Sequence, residues 1–217
     1  MTSTPIDGPR VLPASGGQPR GLVVLAHGYG SNGYDLISLV PFWRDALPDA
    51  VFVAPNAPEA CPGAPGGRQW WALQSLSLEE RSAGARRSAP SLDGFLDAEL
   101  ARYGLADDRV ALVGFSQGTM MALHVAAARQ TQIAGVVGFS GMVADEALIR
   151  APQSRPPVLL IHGDQDTVLP ISAFHTATQL LQSSGFDLTT HVCKGLGHSI
   201  DGDGIRLARD FLVSRLG

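Results

Sequence analysis

A serine, two aspartates and a histidine each follow an apolar run in this sequence. Ser116 sits in "VALVGFSQGTMM", Asp164 and Asp166 in "IHGDQDTVLP", and His198 in "KGLGHSID". A serine hydroxyl is a weak nucleophile and needs a neighbouring base to take its proton. An imidazole can be that base, provided a carboxylate orients it and balances its charged form. The spacing Gly114-Phe115-Ser116-Gln117-Gly118 fits a sharp strand-to-helix turn, where small neighbours permit a strained backbone and expose the hydroxyl. The helix that begins there directs backbone N–H groups toward developing negative charge. Ser140 in "GFSGM" is a rival, but Met142 stands where the second glycine belongs. Aspartates at strand ends are also common turn formers and caps, so Asp164 and Asp166 both stay open as the carboxylate. His124 and His191 fall inside a helix pattern and a strand pattern, where packing accounts for them.

The order serine, aspartate, histidine along the chain is that of α/β-hydrolase triad members. A competing signal lies in "LAHGYGSNGYD", where Gly28, Gly30 and Gly33 spell G-x-G-x-x-G directly after a strand. That is the dinucleotide-binding fingerprint of an oxidoreductase, which also wants an acidic residue ending the second strand. Here that place is Pro55-Asn56, and Asp49 precedes the strand instead. In a hydrolase the same loop supplies a backbone N–H to an oxyanion hole, with Tyr29 as one donor and Gln117 as the second. A third reading is a hydrolase fold kept only for binding; the filled catalytic positions stand against it.

Positioning these groups requires a sheet. "LVVLAH", "VFVAP", "RVALVGF", "IAGVVGF" and "PVLLIHG" are unbroken apolar runs, the mark of strands covered on both faces. "DLTTHVC" is more mixed and belongs nearer an edge. "YDLISLVPFWRDAL", with a break or kink at Pro41, "SLDGFLDAELARYG", "TMMALHVAAARQ" and "GIRLARDFLVSRLG" read as helices. Strand alternating with helix predicts an α/β doubly wound, mostly parallel sheet with helices on both faces. Residues 1–217 show no internal repeat and no linker, so one domain is expected. Ligands of such sheets bind beyond the carboxyl ends of the strands, where all the polar candidates fall. The long Pro- and Gly-rich loop "PNAPEACPGAPGGRQWWALQSL" carries Trp70 and Trp71, whose rings either line a cleft or pack the loop down.

Composition narrows the class of function. The 217 residues are 45% hydrophobic and 17% charged with a net charge of −4, so no basic surface invites nucleic acid. No run approaches the ~18 apolar residues of a membrane span, and no secretory signal is evident. The two cysteines, Cys61 and Cys193, share no metal-ligand spacing and cannot form a disulfide framework. A cytoplasmic location is the expected default.

Together, "HGYGSNGYDLI", "QWWAL", "GFSQGTMMAL", "HGDQDTVLP" and "GLGHSI" resemble the carboxylesterase and lysophospholipase family that includes the acyl-protein thioesterases. The similarity runs from about Gly21 to the end of the chain. It implies an α/β-hydrolase fold without a large cap domain, and a triad of Ser116, Asp166 and His198, with the acid at the second aspartate of "HGDQD". It further implies hydrolysis of acyl esters or thioesters, lysophospholipids included, through an acyl-enzyme, with no metal or organic cofactor. Trp70 and Trp71 would touch substrate. Relatives often form dimers, so a homodimer is one arrangement it suggests. Two departures stand out: Ser31 occupies a place where many relatives carry aspartate, and Trp70-Trp71-Ala72 replaces Trp-Phe-Asp. Both bring the chain closer to bacterial esterases of the family than to dedicated protein depalmitoylases.

Overall fold

The computed structural model describes residues 5–217. Strands β1 (Arg10–Val11) and β2 (Gly21–Ala26), helix α1 (Gly33–Leu36) and strand β3 (Ala50–Val53) come first. A small ribbon of β4 (Glu59–Ala60) and β5 (Arg68–Gln69) leads into α2 (Leu78–Tyr103). Strand β6 (Val110–Phe115), α3 (Gln117–Ala128), β7 (Gly135–Phe139) and α4 (Glu146–Arg150) follow. The chain closes with β8 (Val158–Gly163), α5 (Ile171–Ser183), β9 (Leu188–Cys193) and α6 (Gly202–Leu216).

Seven strands form one sheet in the order β1-β3-β2-β6-β7-β8-β9, with β1 alone antiparallel. Every residue of β2, β3, β7 and β8 is buried. That is why their sequences are continuous apolar runs: helices cover both faces. Successive side chains point to opposite faces, so the runs split into two cores. Leu22, Val24, Leu112, Val136 and Leu160 pack with Leu96 of α2, Met121 of α3 and Leu181 of α5. Val23, Leu25, Val113, Val137 and Leu159 pack with Trp43 and with Leu212 of α6. The mixed strand β9 pairs with β8 only, at the edge its composition suggests.

Two segments differ from expectation. The helix expected across "YDLISLVPFWRDAL", with a break or kink at Pro41, is instead the four-residue α1 followed by a 3-10 turn, Ile37–Phe42, that contains Pro41. Proline has no N–H to give an α-type bond, and its ring crowds the preceding turn. Helix α2 is longer than expected, at 26 residues, and accommodates Pro90. It starts where Ser77 Oγ accepts the Glu80 N–H and stops at Gly104, whose φ of 67° is left-handed. Among the described residues, no helix is long and apolar enough to cross a membrane.

Candidate active site

Ser116 joins β6 to α3 with φ 54° and ψ −116°, a conformation that non-glycine residues seldom adopt. The flanking glycines are a steric requirement. A Cβ on Gly118 would lie 1.8 Å from the Ala26 carbonyl oxygen, and one on Gly114 would lie 2.4 Å from the Thr119 nitrogen. The Ser116 backbone is anchored by its N–H to the Phe139 carbonyl (2.9 Å) and its carbonyl to the Thr119 N–H (3.0 Å). Its hydroxyl caps nothing at the helix start, which leaves it available.

His198 and Ser116 line one cavity of about 370 Å³. Nδ1 of His198 lies 2.7 Å from Oδ2 of Asp166. The other carboxylate oxygen, Oδ1, accepts N–H groups from Val168 (2.9 Å) and Leu169 (2.8 Å), which fixes the plane of the side chain. His162 Nε2 lies 3.4 Å from the same Oδ2 and donates to the Leu169 carbonyl. A carboxylate accepts, so Nδ1 of His198 carries the proton and Nε2 keeps its lone pair as a base. Asp164 is occupied elsewhere: its Oδ1 accepts the Gly195 N–H at 2.7 Å and shapes a turn.

The loop after β2 lies directly on this elbow; a Cβ on Gly28 would be 3.4 Å from Ser116 Cβ. The backbone N–H groups of Tyr29 and Gln117 have no acceptor among the described residues. Buried His27 holds the loop. Its Nε2 accepts the Ala57 N–H (3.0 Å), so Nδ1 is the donor to the Gly28 carbonyl (2.7 Å). Burial pushes the His27 imidazole below its ordinary pKa, in keeping with that neutral tautomer. The Gln117 side chain reaches the other way. Its Oε1 accepts the Trp70 N–H (3.0 Å) and its Nε2 donates to the Trp71 carbonyl (2.9 Å).

Not every expected residue meets the cavity. Trp70 and Trp71 are both fully buried, and neither ring is on its wall. The Trp70 indole donates to the His27 carbonyl (2.9 Å), and Trp71 packs so close to α2 that only glycine fits at position 84. They brace the loop, while Leu73 and Leu76 just beyond them reach the cavity with Met120, Val168 and Leu169. Met120 is both buried and cavity-lining.

The G-x-G-x-x-G loop does not make a dinucleotide site. The helix after it has only four residues, the Gly33 N–H is taken by Asn56 Oδ1 (2.9 Å), and a Cβ on Gly33 would meet the Ala54 oxygen at 1.9 Å. Among the described residues, no cluster of three or more His, Cys, Asp or Glu is placed to hold a metal ion. Both cysteines are buried and free, and burial beside Asp201 pushes the Cys193 thiol up to about 12. A larger cavity, about 620 Å³, opens at the other end of the strands between Arg20, Asp49 and Arg109. It contains none of the reactive groups.

His27 and the Gln117 side chain escaped sequence reasoning. The signal for the first was a histidine closing an apolar strand ahead of glycine; for the second there was none, since the clamp joins segments 46 residues apart.

The phospholipase/carboxylesterase family pattern matches residues 9–215. Esterase YpfH of Escherichia coli is 31% identical over 196 residues, covering 88% of this chain and 81% of that protein. Acyl-protein thioesterase 1 of Gibberella zeae is 26% identical over 209 residues, covering 88% of each. The crystal structure of esterase PE8 superposes with a TM-score of 0.93 at 43% identity, covering 98% of this chain and 100% of that one.

Proposed function

The chain belongs to the phospholipase/carboxylesterase family of α/β-hydrolases and is a serine ester hydrolase, and on that premise we propose that Ser116, Asp166 and His198 are its catalytic triad. The observation that carries this reading is the 2.7 Å contact of His198 with Asp166 beside the cavity that His198 shares with Ser116. His198 Nε2 takes the Ser116 proton as Oγ attacks the ester carbonyl carbon. Asp166 holds the imidazole in its productive tautomer and balances the imidazolium. The tetrahedral oxyanion accepts from the free N–H groups of Tyr29 and Gln117, each donor being worth roughly 10²–10³ in rate. The intermediate collapses, the alcohol or thiol leaves with the proton from His198, and an acyl-Ser116 ester remains. Water, deprotonated by His198, then attacks that ester and releases the carboxylic acid.

The acyl chain lies against Leu73, Leu76, Met120, Val168 and Leu169, an apolar wall suited to hydrocarbon. Acyl esters and thioesters of small molecules are the substrates, and the described residues 5–217 act as one domain without a large cap. A fluorophosphonate probe tests the nucleophile. Labelling at Ser116 in the wild type, with loss of both labelling and ester hydrolysis in Ser116→Ala, is the expected result. Hydrolysis retained by that variant would exclude Ser116.

A further inference from the structure

His198 borders two cavities, and Ser116 lines only one of them. The second, about 310 Å³, lies between Asp35, Ser38, Leu39, Phe115, His198 and Ile200. The Phe115 ring lines this second space and lies against the His198 imidazole, with centroids 4.9 Å apart. Of the residues walling it, Asp35 is the acidic one, and none is lysine or arginine. Ser31 Oγ donates to Asp35 Oδ2 at 2.7 Å and braces the carboxylate on the wall.

An ester has two halves, and the reaction treats them differently. The acyl half stays bonded to Ser116, while the other half must leave beside the group that protonates it. A cavity shared with His198 but not with Ser116 meets the second need. We propose that this second cavity receives the leaving group, and that the Asp35 carboxylate makes the enzyme favour esters whose alcohol carries positive charge. This rests on the triad reading, because it assigns His198 as the proton donor to the departing oxygen. An anionic alcohol meets an uncompensated like charge there, and a neutral one gains nothing from the carboxylate.

The test compares butyrylcholine with its uncharged carbon isostere, in which the quaternary nitrogen is replaced by carbon. The acyl group and shape are the same, so the ratio of kcat/KM values isolates the charge. The wild type is expected to favour the cation by roughly five-fold, the size of one solvent-accessible charge a few ångströms away. In Asp35→Asn the ratio falls to about one, in Asp35→Glu it is retained, and in the wild type it shrinks as added salt screens the carboxylate. The ratio is internal to each variant, so a general loss of activity or stability does not move it. A wild-type ratio near one, or a preference that survives in Asp35→Asn, overturns the proposal. So does failure to hydrolyse either ester while the fluorophosphonate probe still labels Ser116. Absence of labelling would instead bring down the triad reading, and this proposal with it.

Discussion

The Gln117 side chain and the Trp70 backbone meet at 3.0 Å, joining the start of α3 to the loop that walls the cavity. The same amide donates to the Trp71 carbonyl, so one side chain satisfies two buried main-chain groups on adjacent residues. Truncation to Gln117→Ala strands both. An unsatisfied buried polar group costs about 1–3 kcal/mol, so for two such groups a loss of about 2–6 kcal/mol in urea unfolding is expected. A loss under about 0.5 kcal/mol would mean that water takes over both bonds.

The two aspartates after β8 separate by role. Asp166→Asn replaces the acceptor facing His198 Nδ1 with a group that can impose the wrong tautomer. A fall in kcat of about 10⁴ is expected, by analogy with the same change in serine proteases. Asp164→Asn weakens only the turn contact to Gly195 and is expected to keep hydrolysis within roughly three-fold of wild type, with about 1 kcal/mol lost in stability. Steady-state kinetics on one ester decides the assignment; equal damage from the two changes would contradict it.

Acid sensitivity should appear above the carboxylate range. Burial depresses the pKa of His27 and of His124 in the folded protein. The unfolded chain then binds more protons than the folded one below the ordinary histidine pKa of about 6.5, so stability falls as pH drops through that value. Melting temperatures between about pH 7.5 and pH 5.5 should decline, and His27→Gln should flatten part of the slope. A wild-type melting temperature flat over that interval would contradict the neutral, Nδ1-protonated His27.

Much of this architecture was readable in advance, for physical reasons that differ from element to element. Strands β2 and β8 are covered on both faces, and that condition writes itself as consecutive apolar residues. Ser116, His198 and the pair Asp164 and Asp166 stood out as candidates because each follows a strand where the chain must turn. Strand-end position could not choose between the two aspartates, and Asp166 was singled out only by the family resemblance. Helix α2 began earlier than expected because Gly84 and Pro90 weaken its helical pattern. Gly84 is there for the Trp71 ring, a contact with no local trace. The Trp70 and Trp71 rings follow the same logic: residue type marks them as needing cover, and only tertiary packing says whether substrate or protein provides it. For the helix expected to break at Pro41, the proline marked an interruption, but the α-helix stops earlier, at Leu36. The segment is tied to α6 by the Trp43 indole, which donates to the Ile205 carbonyl at 3.0 Å.

The left-handed backbone at Ser116 sets two demands on the protein against each other. Glycine would occupy φ 54° without steric cost, so for folding alone serine is the inferior choice at the elbow. Stabilising substitutions elsewhere in a chain are commonly neutral for function; at a strained reactive position they remove it. With Ser116 as the proposed nucleophile, the residue is retained by its chemistry and tolerated by its fold. A search for greater thermal stability that ignored turnover would erase it early.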